Sequence, residues 1–331
     1  MIVDVHAHLS PPEAGARFPM PPSLLDVEGM IERKLAAGID LSVIGSPVGA
    51  GAMAPIPGVD NYAQPDDRLA VLHDWLAGLV AVYPAHLRAW AYVNPFGTDA
   101  QLATARDLVQ EPGFVGFIVN SSVNGDYLGA PAGEAFFAMA AEACVPLFVH
   151  PPARPVGADA LRGPALVEQV GRFLDVGPGV ASVVLGGWLE RHPGLRLLVA
   201  GGGGPLALLG ERLDRAQRPE HWGGTPPGVG GSPGPPPLPR PPSSYFDRIW
   251  VDTAVASATH LEANLRAFGS GRLVFGTDGP PILSAVEDTA ALVAALPLDG
   301  PARARVLGGN ACELLALGTD RDRNRSEEAP P

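Results

Sequence analysis

Two histidines separated by a single residue stand in the run Ile2-Val3-Asp4-Val5-His6-Ala7-His8-Leu9. Side chains alternate faces along a strand, so a strand here points His6 and His8 the same way. Ile2, Val3 and Val5 favour that conformation. Two imidazoles on one face can close on a single metal ion; two solvent-facing histidines near a chain end are the plainer alternative. Further along, His150 follows the apolar run Leu147-Phe148-Val149, and Asp278 sits in Val274-Phe275-Gly276-Thr277-Asp278-Gly279-Pro280. Taken singly, the first reads as a satisfied core or turn histidine and the second as a turn residue. Brought together, three neutral imidazoles and one carboxylate suit Zn²⁺ or a similar divalent ion, with a position left for water or substrate.

Residues this distant meet only where a fold gathers strand ends. Short apolar runs alternate with longer segments of helical period, the pattern of βα units on a parallel sheet. Strands are expected over 2–6, 41–45, 87–93, 115–120, 147–150, 195–200, 249–253 and 273–276, and helices over 67–83, 133–143, 179–191 and 261–268. Eight such repeats in 331 residues favour an α/β architecture of the closed kind, a distorted (β/α)8 TIM barrel, over an open doubly wound sheet. No G-x-G-x-x-G joins a first strand to a helix, which sets a dinucleotide fold aside. In such a barrel His6, His8, His150 and Asp278 fall at the C-terminal strand ends, on one face.

Residues 223–244 are rich in proline and glycine and are expected to be a long loop before strand seven. Residues 319–331 are charged, end in Pro-Pro, and are expected to be a disordered tail, leaving 1–318 as a single domain. The Pro-rich stretch 10–24 follows the first strand directly and is a candidate lid or pocket wall. A net charge of −12 and a pI near 5.1, with no basic patch, argue against nucleic-acid or anionic-membrane partners. Lys34 is the single lysine among 23 lysines and arginines. Cys144 and Cys312 have no metal-type spacing and are expected to be buried thiols in a reducing compartment. The N-terminus has no signal-peptide pattern, and no apolar run reaches the ~18–20 residues that span a bilayer. A cytoplasmic enzyme with a small-molecule substrate is the expectation.

Further motifs add to His6-Ala7-His8. They are Gly113-Phe114-Val115-Gly116, Val119-Asn120-Ser121-Ser122-Val123-Asn124-Gly125, Val145-Pro146-Leu147-Phe148-Val149-His150-Pro151 and Gly186-Gly187-Trp188-Leu189-Glu190-Arg191-His192-Pro193. Phe275-Gly276-Thr277-Asp278 and Gly308-Gly309-Asn310-Ala311-Cys312-Glu313-Leu314-Leu315 complete the set. With these the chain, from residue 2 to about 318, resembles the amidohydrolase-related family that contains aminocarboxymuconate semialdehyde decarboxylase and the orsellinate- and resorcylate-type decarboxylases. The resemblance implies a (β/α)8 barrel with one divalent metal, zinc or manganese, and by position His6, His8, His150 and Asp278 match the family's ligands. It also implies a homo-oligomer, a dimer in many members.

The family carries Ala-His-Gly-Gly-Gly after strand six, its histidine serving as general acid/base. Here the run reads Ala200-Gly201-Gly202-Gly203-Gly204, and Gly201 has no side chain to move a proton. Three explanations stand: His260, in the loop after strand seven, supplies the proton; the metal and Asp278 suffice, since a metal lowers the pKa of its water towards ~7; or the protein binds without catalysing. His260 also reads as a capping or surface histidine. The semialdehyde decarboxylase holds an acid group with an arginine from the loop after strand two. Residues 46–64 here contain no Arg or Lys, and Val48-Gly49-Ala50-Gly51-Ala52-Met53 points to a less charged substrate end. Arg17 and Arg154 are candidate substitutes. Trp188 reads as packing, and His73, His86, His192 and His221 are assigned no chemistry. Lys34, in the first helix, argues against a two-metal centre bridged by a carbamylated lysine. The expected function is non-oxidative decarboxylation of a small aromatic or unsaturated carboxylic acid. Hydrolysis or hydration of a C–N, C–O or C=C bond, with Asp278 as base, is the alternative, and a silent binding protein the third.

Overall fold

The computed structural model describes residues 1–47, 66–217 and 237–318. The run at 48–53, most of the loop at 223–244, His221 and the tail at 319–331 lie outside the described residues. One parallel sheet holds eight strands: β1 (Val3–His8), β2 (Leu41–Gly45), β3 (Leu87–Tyr92), β4 (Phe114–Asn120), β5 (Leu147–His150), β6 (Leu197–Val199), β7 (Ile249–Asp252) and β8 (Leu273–Val274). Neighbours follow chain order. The seam between β8 and β1 is bridged by the Val5 amide donating to Phe275 O at 3.0 Å and the Asp278 amide donating to His6 O at 2.8 Å, which closes the barrel.

A helix follows each strand: α1 (Val27–Ala36), α2 (Asp66–Val82), α3 (Asp99–Leu108), α4 (Glu134–Ala143), α5 (Arg172–Leu185), α6 (Gly210–Ala216), α7 (Ala258–Phe268) and α8 (Ala285–Ala295). Asp26, Thr98 and Ser257 cap α1, α3 and α7 by accepting backbone N–H groups that a helix start leaves unpaired. The helix expected over 179–191 is instead two pieces, α5 and Trp188–Arg191, because Gly187, just past the end of α5, takes a left-handed φ of 74° that interrupts the helix. Residues 10–24 are partly ordered into the short helix Pro12–Arg17 and a 3₁₀ turn at Pro22–Leu24.

Helices outside and side chains inside cover the strands on both faces, which is why they are apolar without alternation. Within the barrel the Trp90 indole donates to Val5 O at 3.0 Å. Phe148 packs edge-on against His6 (4.9 Å between ring centres) and lies tilted by 33° against Trp90 (5.3 Å), forming an apolar floor below the strand ends. Trp188 is buried and stacks on Phe137, a packing role as expected.

One expectation changes. The thiols are not buried: Cys144 is exposed and Cys312 half-buried. Cys144 occupies the left-handed C-cap of α4 (φ 55°), where the chain turns at the surface. Lys34 lies in α1 but its side chain is 3% exposed. It pairs with Asp4 and donates to Thr277 Oγ1 at 2.7 Å, while Thr277 Oγ–H donates to Asp4 at 2.7 Å. Asp4 also accepts the amides of His6 and Thr277, each at 3.0 Å. This network ties α1, β1 and the end of β8 together at a register shift in β1 between Asp4 and Ala7.

Candidate metal centre

β1 runs through His8, so both imidazoles belong to the strand and both are buried. His150 ends β5 on the other side of the barrel. Ligand atoms of the three rings lie within 4.8 Å of one another. The ring planes are mutually near-perpendicular, at 84° to 87°, with centres 4.9 to 5.2 Å apart. Asp278 follows β8 in a left-handed conformation (φ 59°), and its Oδ1 stands 3.5 Å from His6 Nε2 and 3.3 Å from His8 Nε2.

The far nitrogen of each ring is held. His6 Nδ1 is 2.6 Å from Asp252 Oδ2, His8 Nδ1 is 3.1 Å from Gly45 O, and His150 Nδ1 is 2.8 Å from Pro151 O. All three partners are acceptors, so each Nδ1 carries the proton and each Nε2 presents a lone pair. His6 Nε2 and His8 Nε2 then face each other at 3.1 Å. Two lone pairs at that distance repel unless a cation lies between them. Donors ~2.1 Å from a common ion stand about 3.0–3.4 Å apart at tetrahedral to octahedral angles. The donor set therefore fits a divalent ion. Gly276 permits the arrangement, since a Cβ there would lie 3.0 Å from the Cβ atoms of both His6 and Asp252.

The electrostatics of His150 and Asp278 agree with this donor set. Burial pushes His150 well below its ordinary value, and the charges of His8, His6 and Arg172 add to the push, so the ring is neutral. For Asp278, burial pushes upward, but His6, the hydrogen bond to His8 and Arg172 outweigh it and hold the carboxyl below the usual range. Burial lowers His6, and Asp278, Asp252 and Asp4 more than reverse it.

A cavity of about 270 Å³ opens on the cluster, lined by His8, His150 and Asp278. Ser10, Pro19, Met20, Pro21 and Leu24 form one wall, so residues 10–24 do line the site. Roughly 150 Å³ suffices for benzene, so a substituted ring fits. Neither Arg17 nor Arg154 lines this cavity; Arg17 lies over the Phe18 ring and Arg154 pairs with Asp159. Arg172, at the start of α5, does line it. Asp252 and Arg172 are the residues the sequence reading passed over. Asp252 was legible by the rule that found Asp278, a carboxylate at a strand's C-terminal end.

Gly201 adopts φ 60°, and a Cβ there would meet nothing within 4 Å. His260 is not in a loop facing the site: it lies in the first turn of α7, behind the Gly201 turn, and does not line the cavity. Its ring lies against Phe173, 5.5 Å between centres, and its Cε1 would be 2.9 Å from a Cβ on Gly202. Its Nε2 is buried without a partner among the described residues, and burial lowers its pKa. The Gly202 amide donates to Asp252 Oδ1 at 2.7 Å, so His260 backs the turn that steadies the carboxylate holding His6.

Among curated proteins, the chain is 25% identical over 271 residues to 2-amino-3-carboxymuconate-6-semialdehyde decarboxylase of Dictyostelium discoideum, covering 80% of this chain and 72% of that one. It is 28% identical over 223 residues to gamma-resorcylate decarboxylase of Rhodococcus jostii, covering 63% and 64%. Among solved structures, a dihydroxybenzoic acid decarboxylase of Polaromonas, with bound manganese and 2-nitroresorcinol, superposes with a TM-score of 0.76 over 97% of this chain and 98% of that one. At 19% identity that likeness carries the fold. The family model described as Amidohydrolase matches residues 3–317, from the first strand to the last helix, and the chain belongs to the amidohydrolase family.

Proposed function

We propose that this chain is a metal-dependent decarboxylase of small aromatic carboxylic acids. The observation that carries the reading is the convergence of three Nε2 lone pairs and one carboxylate on the floor of a ring-sized cavity. The curated relatives described above are decarboxylases, which supports the choice of reaction. His6, His8, His150 and Asp278 would hold the ion, Zn²⁺ by donor set, with Mn²⁺ the ion named for the Polaromonas structure. When bound, the ion supplies a Lewis acid that orients the substrate carboxylate and steadies charge developing as the bond breaks.

The remaining work falls to the chain. Leu9, Met20, Leu24 and Ile282 wall the ring from water. Decarboxylation breaks the ring–carboxylate bond, leaves its electron pair on the ring carbon, and needs a proton there. Asp278 turns Oδ1 to His6 and His8 and rests ionised, and we assign Oδ2 to relaying that proton from water to the ring carbon. His260 is the second proton-handling candidate, acting from behind the Gly201 turn. The open space at Gly201 favours hydrolysis or hydration as the competing reading, because no side chain there holds a proton. A cytoplasmic homodimer belongs to the same proposal; among the described residues no helix is long and apolar enough to cross a membrane.

The test is CO₂ release from hydroxybenzoates by manganese- or zinc-loaded protein. Release that vanishes in His150→Ala together with the bound metal supports the reading; water uptake without CO₂ overturns it for the hydrolytic one. His260→Ala with a tenfold lower kcat (about 1.4 kcal/mol) and full metal content assigns that ring a role in proton transfer, and unchanged kcat removes it.

A further inference from the structure

Gly201 to Gly204 follow β6 in a row, and all four take positive φ, from 54° to 75°. The second admits no side chain. A Cβ on Gly202 would stand 2.4 Å from Val255 Cγ1, 2.9 Å from His260 Cε1 and 2.9 Å from Asn264 Nδ2. His260 and Asn264 lie four apart on α7, so both face the turn. Only glycine lets the helix come this close.

The close approach completes a chain of contacts. Asn264 Nδ2 donates to Gly202 O at 2.8 Å. The Gly202 amide donates to Asp252 Oδ1 at 2.7 Å. Asp252 Oδ2 accepts from His6 Nδ1 at 2.6 Å. Three hydrogen bonds thus run from α7, through one backbone residue and one carboxylate, to a metal-facing ring. Asn264 and Asp252 are 0% exposed and His6 is 2% exposed, so water does not compete for these contacts. The other donor to Asp252 Oδ1 is the Ala254 amide at 3.2 Å, the longer of the two, which leaves the Gly202 amide to direct the carboxylate.

Asn264 makes its contact at a cost. Its Oδ1 is buried with no partner among the described residues. Turning the amide over would set Oδ1 against Gly202 O, acceptor against acceptor, so the unpaired oxygen follows from aiming Nδ2 at the turn. A buried acceptor without a partner loses its hydration and gains no bond in return. Leucine, close to asparagine in volume, would fill the same space without that loss.

We propose that Asn264 is a positioning residue of the metal centre. By fixing the Gly202 turn it holds Asp252, and through Asp252 it holds the His6 ring with Nε2 presented to a divalent ion. This rests on the metal-site part of the decarboxylase reading above.

The experiment is a chelator-competition titration of Zn²⁺ for wild type, Asn264→Leu, Asp252→Asn and the double variant. Visible absorption of the Co²⁺-loaded proteins and urea unfolding of the metal-free ones accompany it. Asn264→Leu should bind Zn²⁺ about tenfold more weakly, the lower end for an outer partner of a ligating histidine, and should shift the Co²⁺ bands. Added to Asp252→Asn it should weaken binding by less than about twofold more, because its effect travels through Asp252. Asn264→Ala removes the same donor without adding bulk, and carries the test if the leucine variant does not fold. An unchanged Zn²⁺ affinity and Co²⁺ spectrum, with only the urea midpoint lowered, make Asn264 a structural residue and overturn the proposal. A double variant that loses the sum of the two single losses overturns it as well. Stoichiometric Zn²⁺ in wild type without CO₂ release from hydroxybenzoates sinks the decarboxylase reading alone, and the affinities still decide the role of Asn264. No stoichiometric divalent ion in wild type overturns both.

Discussion

A single carboxylate decides how the His6 ring is presented. Asp252 Oδ2 accepts the hydrogen bond of His6 Nδ1–H at 2.6 Å, and its Oδ1 accepts those of the Gly202 and Ala254 amides at 2.7 and 3.2 Å. Partners of this kind fix the tautomer and raise the basicity of a ligating ring. Asp252→Asn should therefore lower divalent-metal affinity about 10–100-fold while the barrel stays folded; a competition titration against a chelator measures it, and an unchanged affinity removes Asp252 from the site. The cluster of His6, His8, His150 and Asp278 was legible as a cluster because each is a metal-type side chain at a strand's C-terminal end. Arg172 was not, because its place depends on a π-helical turn, and hydrophobic period does not separate that turn from an ordinary one. The loop arginines Arg17 and Arg154 looked equally apt in sequence, yet one covers Phe18 and the other pairs with Asp159.

At the scale of elements, β1, α1 and the end of β8 meet on the Lys34–Asp4–Thr277 network, with Asp4 0% and Lys34 3% exposed. Asp4 lies two residues before His6 and Thr277 directly before Asp278, so the network sets the spacing of two strands that share the site. Removing one partner of a buried ion pair leaves an uncompensated charge. Lys34→Met should cost about 3–5 kcal/mol in denaturant unfolding, and Asp4→Asn in the same chain should recover most of it. A double variant that loses as much as the two single variants added together would show that the pair contributes nothing. Strand positions were legible to within a few residues, since apolar runs buried on both faces leave a plain mark. The network was not, because the lysine sits in a helix of mixed polarity and its partners lie 30 and 243 residues away.

The closed barrel itself was legible, because eight strand–helix repeats in one chain have few other ways to bury both faces of every strand. Its acid sensitivity follows from another buried ring. Burial on α2 lowers His73 to about 4 from 6.5. The folded value lies below the unfolded one, so the unfolded chain takes the proton first. Stability present above pH 6.5 is lost as pH falls towards 4. Between pH 7 and pH 5 this ring should account for about 2 kcal/mol. Urea midpoints at the two pH values, compared between wild type and His73→Gln, measure it, and equal pH dependence in both would discard the assignment. The lone lysine has a separate consequence for the molecule as a whole. Its ε-amine is the only one the sequence contains, and it is sealed beneath the first helix. An acylating reagent can reach that nitrogen only after α1 lifts from the barrel, so side-chain amine labelling would time that opening, with no probe introduced into the chain.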